Sequence, residues 1–194
     1  MPMLSIEKII RNTVKVDLDG LDMKKMTNSL YQTVLYEDLA KYKSITKLVG
    51  KNNGVIILYE TSSEYQGHWT CLWITVDKKN IMFFDSYAFK PDEEISFAHY
   101  TRNVVRRFYL TDLLRKDGRN VLHNPYKLQL WKHNVNTCGR WVGVRLRWKH
   151  LTHAEFNAIF TKSSHEEPDF WITILSFMCI NDDLNDQDIF KKII

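Results

Sequence analysis

Three residues of this chain, His68, Asp85 and Cys138, have the chemical types needed for nucleophilic catalysis by a thiol. A cysteine thiol with an ordinary pKa of about 8.5 is a weak nucleophile at neutral pH unless a base removes its proton or its surroundings lower that pKa. An imidazole can serve as the base, and a carboxylate bonded to the imidazole holds the ring in the required tautomer. Each residue taken alone is also compatible with a structural role, since most lone cysteines are small core residues. The chemistry therefore depends on whether the fold brings the side chains together.

A β-hairpin is predicted to position His68 and Asp85. Residues 67–76 alternate in the manner of a strand, residues 77–80 have the composition of a turn, and residues 81–84 form the returning strand. His68 begins the first strand and Asp85 follows the second, so a tight hairpin places both at the same end of the sheet. Directly opposed residues of an antiparallel pair have Cβ atoms about 4.5–5.5 Å apart. We therefore expect the Asp85 carboxylate to lie within reach of the His68 Nδ1 atom, although a solvated histidine and a turn-capping aspartate would fit the same pattern.

The segment that begins at Cys138 fits two periods. Residues 142–148 alternate as in a strand, whereas Trp141, Val144, Trp148 and Leu151 share a helical face. We favour the helix, because a cysteine at a helix N-terminus lies at the positive end of the helix dipole, which favours the thiolate. Upstream, residues 126–131 alternate and are predicted to form a strand that leads into a loop at 132–137.

The other segments predict an α+β protein. Residues 1–50 have helical periodicity that ends at Gly50, and residues 55–59 form a short apolar run typical of a buried strand. A helical segment is expected over 90–120, a capping box at 152–155 begins another helix, and a last helix starts at Pro168. We expect one domain over 1–194, with a helical part at 1–50, a catalytic core at 51–150, and C-terminal helices and an acidic tail at 151–194.

Composition restricts the class of protein. The chain has 194 residues, 44% of them hydrophobic, which suffices for a sizeable core, and a net charge of +4 that is too small to indicate nucleic-acid binding by itself. Its three cysteines are odd in number and widely spaced, so they indicate neither a disulfide framework nor a metal-binding pair, and they favour a reducing compartment. Residues 1–10 lack the form of a signal peptide, and the apolar run at 170–180 is too short to span a bilayer. We therefore expect a protein that is neither secreted nor bound to a membrane.

Four short motifs occur in an order that resembles a known family. They are Gly67-His68-Trp69, Phe84-Asp85-Ser86, Gln129 and Thr137-Cys138-Gly139. This arrangement resembles the adenain and Ulp1-like group of cysteine proteases, which have a papain-like core and in which the histidine precedes the cysteine. The resemblance covers roughly residues 55–150. It implies a mixed, mainly antiparallel sheet flanked by helices, with the catalytic cysteine at the N-terminus of a central helix.

The resemblance also implies a role for each matching residue. His68 would be the general base, Asp85 its orienting carboxylate and Cys138 the nucleophile, while Gln129 and the Cys138 N–H would hold the oxyanion. The glutamine of the family lies slightly nearer to the cysteine than Gln129 does, so Asn134 is a second candidate for the oxyanion donor. The neighbouring residues Trp69 and Gly139 are expected to contact the substrate. No cofactor is expected to be required.

The Asn-Thr-Cys-Gly-Arg-Trp string at 136–141 is similar to maturation proteases of adenovirus-like elements and virophages. That similarity implies a viral cysteine endopeptidase that cleaves capsid precursors, acts as a monomer, and is found in the virion and in the infected host cell. An isopeptidase that removes ubiquitin-like modifiers would use the same residues. An acyltransferase would need a glycine-rich phosphate loop that the sequence lacks, and a pure binding module would have no need of the three catalytic types. A basic helix face is either a solvated surface or a nucleic-acid contact through which DNA could stimulate activity; it carries Arg102, Arg106 and Arg107.

Overall fold

A computed structural model describes residues 6–63, 66–96, 108–161 and 167–180. The chain forms two compact units, one made of Met1–Ser29 with Tyr126–Ile194 and the other of Leu30–Pro125. We call the second the sheet unit and the first the helical unit. The elements of the sheet unit are β1 (Gln32–Leu35), a 3₁₀ turn (Tyr36–Lys41), α3 (Ile45–Val49), β2 (Gly54–Ser63), β3 (Gln66–Ile74), β4 (Asn80–Phe84), a second 3₁₀ turn (Glu93–Ser96), α4 (Tyr109–Asp117) and β5 (Asn120–His123). Those of the helical unit are α1 (Ile6–Thr13), α2 (Gly20–Met26), α5 (Cys138–Arg147), α6 (His153–Thr161) and α7 (Pro168–Ile180).

The sheet unit contains a five-stranded mixed sheet in which the strands lie side by side in chain order. The two central pairings, β2 with β3 and β3 with β4, are antiparallel, and the two outer pairings, β1 with β2 and β4 with β5, are parallel. This confirms the predicted α+β class and the predicted hairpin, since β3 and β4 lie within two residues of the bounds that the alternation and the turn at 77–80 indicate. The buried strand predicted at 55–59 is confirmed as part of β2.

One face of this sheet carries the core of the unit. Its members come from alternate strand positions and from the helices α3 and α4 that cover them, and they include Val55, Ile57, Leu72, Phe83 and Leu113. Burying one such side chain stabilises the fold by about 1.5–3 kcal/mol. Successive side chains of a strand point to opposite faces, so His68 lies on the same face as Leu72, at the end of the row. The core therefore fixes the face on which the histidine lies.

The helical unit is built around α5. Trp141 and Trp148 on this helix are buried and make edge contacts with Phe156 of α6 at centroid distances of 6.1 and 6.3 Å. Gly143 allows the close approach of α2, because a Cβ atom there would lie 2.4 Å from the Met26 Cε atom. The helix predicted from the chemistry of Cys138 is thus confirmed, and nine of its ten residues are buried.

Three predicted segments differ from the structure. The segment 1–50 is not wholly helical, because residues 32–35 form β1 by pairing in parallel with β2, a long-range contact that local periodicity does not indicate. Residues 126–131 form no regular element, and the strand lies upstream instead, at β5; Pro125 ends it because proline has no N–H to donate. The helix expected over 90–120 is a 3₁₀ turn and the shorter α4, which ends at Gly118 with φ +80°. Residues 97–107 lie outside the described part.

Other local predictions hold. Gly50 follows the last residue of α3 with φ +61°. The capping box before α6 is present, with Thr152 N donating to Glu155 Oε2 at 2.8 Å and Glu155 N donating to Thr152 Oγ1 at 3.2 Å. The last helix begins at Pro168 as expected. Among the described helices, none combines the length and the apolar character that a membrane span requires.

Candidate active site

His68 and Asp85 form a buried hydrogen-bonded pair in the sheet unit. The His68 Nε2 atom lies 2.8 Å from Asp85 Oδ2, and the two residues are 5% and 1% exposed. The strand register explains the contact: Cys71 pairs with Phe84, so Asp85 lies one step further along, diagonally across from His68 on the same face of the sheet. The expected pairing is present, but through Nε2 rather than Nδ1. Nδ1 is therefore the ring nitrogen that faces away from the carboxylate.

The backbone around Asp85 is held by a residue that the sequence motifs did not indicate. Asn124, which is buried directly after β5, donates from Nδ2 to the Asp85 carbonyl oxygen at 2.7 Å and from its backbone N to the Phe83 carbonyl at 3.0 Å. The other carboxylate oxygen, Asp85 Oδ1, accepts from the Tyr87 N–H at 2.7 Å. Both oxygens of the carboxylate are thus engaged, and Oδ2 is directed at the imidazole.

An aromatic ring covers one face of the imidazole. The Tyr87 ring stacks on His68 with a centroid distance of 4.9 Å and an interplanar angle of 23°. Trp69, the predicted substrate contact, is 7% exposed and follows His68 in β3, so its side chain points to the opposite face of the sheet. The ring that restricts the orientation of the imidazole is accordingly that of Tyr87.

A second carboxylate lies near the pair. Glu94 is 5% exposed, and its Oε2 atom has no hydrogen-bond partner among the described residues. Burial raises the pKa of Glu94, and the neighbouring His68 opposes that rise. The sequence motifs did not include Glu94, so this buried carboxylate was missed.

The predicted nucleophile lies in the helical unit, as the first residue of α5. Cys138 is 8% exposed, so its thiol is more buried than a surface position at a helix end would suggest. Thr137 precedes it at the N-cap position, yet its side chain makes no capping hydrogen bond to α5. The Thr137 hydroxyl donates instead to Asp169, which leaves the first N–H groups of the helix without a side-chain acceptor from the cap.

Asp169, in the first turn of α7, organises the surroundings of Cys138. Its Oδ1 atom accepts from the Thr137 hydroxyl and from Trp141 Nε1, the latter at 2.9 Å, and its Oδ2 atom accepts from the Leu130 N–H at 2.8 Å. Burial raises the pKa of Asp169, and these three hydrogen bonds oppose the rise. One carboxylate therefore links the residue before the cysteine to the residue after Gln129, a connection that no local sequence signal indicated.

The two candidates for the oxyanion donor differ in their surroundings. Gln129 is buried, and its Nε2 donates to the Val135 carbonyl oxygen at 3.2 Å, which closes the loop that leads to Cys138. Asn134 is exposed in a turn of that loop. Gly139 is buried in the first turn of α5. The basic residues of the predicted nucleic-acid contact and the acidic tail lie outside the described residues; the former are Arg102, Arg106 and Arg107.

Comparison of the sequence with known proteins finds one relative that is similar enough to show the family of this chain. The chain is 36% identical over 146 residues to the uncharacterized protein V9 of the Sputnik virophage, and the match spans 73% of this chain and 82% of that protein. The chain belongs to the V9 family. No protein-family model matches the chain.

Comparison of the structure of this V9-family protein with solved structures finds proteins of more distant sequence. They include the SUMO protease Ulp1 with its catalytic cysteine oxidised to a sulfinic acid, at 16% identity and a TM-score of 0.44, covering 92% of this chain and 83% of Ulp1. The ASFV pS273R protease matches at 11% identity and a TM-score of 0.49, over 84% and 68% of the two chains. The Chlamydia trachomatis effector ChlaDUB1 matches at 13% identity and a TM-score of 0.48, over 95% and 97%. All three structures are less than 20% identical to this chain and have TM-scores below 0.5.

Proposed function

We propose that this protein is a cysteine endopeptidase that hydrolyses peptide bonds by acyl transfer. The observation that carries the proposal is the buried hydrogen bond between His68 Nε2 and Asp85 Oδ2, 2.8 Å long. A carboxylate that holds one ring nitrogen fixes the tautomer in which the other nitrogen can accept a proton. Cys138, at the N-terminus of α5, supplies the thiol in this proposal.

The proposed reaction proceeds in two stages. His68 Nδ1 takes the proton from the Cys138 thiol, and Sγ attacks the carbonyl carbon of the scissile bond. The Cys138 N–H and an amide N–H of Gln129 hold the oxyanion, for which each donor is worth about 10²–10³ in rate. The imidazolium then protonates the leaving amine, and Asp85 stabilises the cation in the meantime. In the second stage His68 removes a proton from water, which attacks the thioester and releases the acid product and the thiol.

The proposed substrates are structural precursor proteins of a virus. This assignment is supported by the virophage protein V9, which belongs to the same family as this chain. It is also supported by the similarity of the segment 136–141 to maturation proteases. We propose that the enzyme acts as a monomer in the infected cell and in the virion, without a required cofactor. DNA would stimulate it through the basic residues named above.

Cleavage of capsid precursors, followed by mass mapping of the new termini, tests the proposal. The expected result is discrete cleavage that is lost in Cys138→Ala and retained in Cys179→Ala, which removes a cysteine that is also buried, at 2% exposure. Since Cys138 is itself buried, circular dichroism should first show that both variants are folded. Cleavage of a ubiquitin-like fusion with no cleavage of the precursor would replace the endopeptidase by an isopeptidase. Normal cleavage by Cys138→Ala would refute the assignment of the nucleophile.

A further inference from the structure

His68, Asp85 and Glu94 converge in the interior of the sheet unit. One ligand atom from each, an imidazole nitrogen and two carboxylate oxygens, lies within 4.8 Å of the others. All three residues are buried, with exposures of 5%, 1% and 5%. The mechanism proposed above uses His68 and Asp85 but has no role for Glu94. This carboxylate therefore calls for a separate explanation.

The unusual feature of the cluster is the Glu94 carboxylate. Its Oε2 atom is inaccessible to solvent and lacks a hydrogen-bond partner among the described residues, which is costly for a buried carboxylate. Ionisation of both carboxylates beside one imidazole would also concentrate negative charge in a place that solvent does not reach. A bound cation would satisfy the orphaned oxygen and balance that charge.

We propose that His68, Asp85 and Glu94 bind a divalent transition-metal ion of the Zn²⁺ type. Zinc takes nitrogen and oxygen ligands at about 2.0–2.2 Å, so that pairs of ligands in a tetrahedral site lie about 3.4 Å apart. One pair here, His68 Nε2 and Asp85 Oδ2, is 2.8 Å apart, and the ligand atoms of all three residues lie within 4.8 Å of one another. Side-chain shifts of about 1 Å would bring the three atoms to the required spacing. The set of one imidazole and two carboxylates suits zinc and its neighbours in the d-block better than calcium or magnesium.

Metal binding would inhibit the proposed catalysis through the tautomer of the imidazole. A metal ion on Nε2 displaces the proton that this nitrogen shares with Asp85, and the neutral ring then carries its proton on Nδ1. A ring protonated at Nδ1 cannot accept the proton of the thiol. The inhibition rests on the proposed function, whereas the binding does not.

Isothermal titration of zinc into the Cys138→Ser protein tests the binding, because this protein has no thiolate at position 138. We expect a high-affinity site of one ion per chain, and adding Glu94→Gln should weaken it by about tenfold or more. The matched control is Glu93→Gln, which removes the same charge from the adjacent, exposed residue and should leave the affinity within about twofold. Absence of binding up to about 1 mM zinc, or an equal loss in both glutamine variants, would overturn the proposal.

Thermal melts establish whether the variants fold, and Glu94→Gln is expected to fold because it removes a buried charge without breaking a hydrogen bond at Oε2. If that variant unfolds, Glu94→Asp serves in its place, since it keeps the charge but withdraws the oxygens by one methylene. The weakening of binding is expected with either variant. Unaltered zinc affinity in the variant that folds would contradict the site.

The proposed inhibition by zinc is tested with the full-length wild-type protein and a substrate that it cleaves. Zinc should inhibit cleavage reversibly, with recovery on addition of EDTA, and Glu94→Gln should raise the half-inhibiting zinc concentration by about tenfold or more. A protein that binds zinc as predicted but cleaves no substrate would refute the proposed function and leave the metal site standing. A protein that cleaves, but whose Cys138→Ser form binds no zinc, would refute the metal site alone.

Discussion

Replacement of Asp169 by asparagine tests how the helical unit positions Cys138. The two carboxylate oxygens accept three hydrogen bonds: Oδ1 accepts from the Thr137 hydroxyl and from Trp141 Nε1, and Oδ2 accepts from the Leu130 N–H. An amide has one acceptor oxygen, and its NH₂ group cannot accept. Whichever way the amide is turned, at least one of the three donors faces another donor. Thr137 precedes the cysteine and Leu130 follows Gln129, so either loss disturbs a residue next to the proposed catalytic groups.

The magnitude follows from these contacts. A hydrogen bond to a charged group contributes about 1.5–3 kcal/mol, and a buried donor left unsatisfied costs about 1–3 kcal/mol. Removing the charge recovers part of the desolvation cost, which is the effect that raises the pKa of Asp169. The net destabilisation should be about 2 kcal/mol. A displacement of about 1 Å at the catalytic groups typically costs about 10² in rate, so kcat should fall by that factor while KM changes little.

Urea unfolding and steady-state cleavage of a peptide substrate measure the two effects. Trp141→Phe is the control, because it removes one of the three donors and keeps an aromatic ring and the carboxylate. Since Trp141 is fully buried, the lost hydrogen bond and the space left by the smaller ring should together cost about 1–3 kcal/mol, while kcat should fall by less than about threefold. The reasoning would be wrong if Asp169→Asn unfolded within about 0.5 kcal/mol of wild type and kept its full kcat, or if the control lost as much activity as the aspartate variant.

Three further predictions concern the base, its strand and the basic segment. Asp85→Asn should lower kcat by about 10²–10⁴-fold with KM nearly unchanged, because an amide stabilises the imidazolium poorly. Steady-state kinetics in which only KM changes would contradict the proposed role of Asp85 as the carboxylate that orients His68. Gly67→Ala should destabilise the protein by about 1–3 kcal/mol in urea unfolding, because its Cβ atom would lie 1.8 Å from the Tyr59 carbonyl oxygen. The control Gly20→Ala should be neutral or stabilising, because no described atom lies within 4 Å of its new Cβ atom. Equal effects of the two substitutions would refute the steric argument. Double-stranded DNA should accelerate cleavage at low salt, and replacing Arg102, Arg106 and Arg107 together by glutamine should abolish this acceleration. Cleavage rates that DNA leaves unchanged would exclude the nucleic-acid contact.

Local sequence patterns predicted the elements that carry the proposed chemistry. The alternation over 67–76, the turn at 77–80 and the returning strand are local signals, and they placed His68 and Asp85 at one end of a hairpin, where the structure has them hydrogen-bonded. The capping box before α6 was likewise predictable, because helix ends depend on residues within one turn of each other. The segment after Cys138 fitted both a strand and a helix, and the helix followed only from the chemistry of the thiol. Burial of the pair was not predictable in this way, since a solvated histidine fits the same pattern.

The contacts that hold these residues come from segments far apart in the chain and could not be predicted from local patterns. The choice of Nε2 for the contact with Asp85, the burial of Glu94 and the strand β1 all depend on packing between segments distant in the chain. Asn124 reaches Asp85 across 39 residues, and Asp169 reaches Thr137 across 32. Such contacts produce no periodic pattern in the sequence, because the hydrogen-bond partner of a buried polar side chain depends on the fold rather than on its neighbours in the sequence.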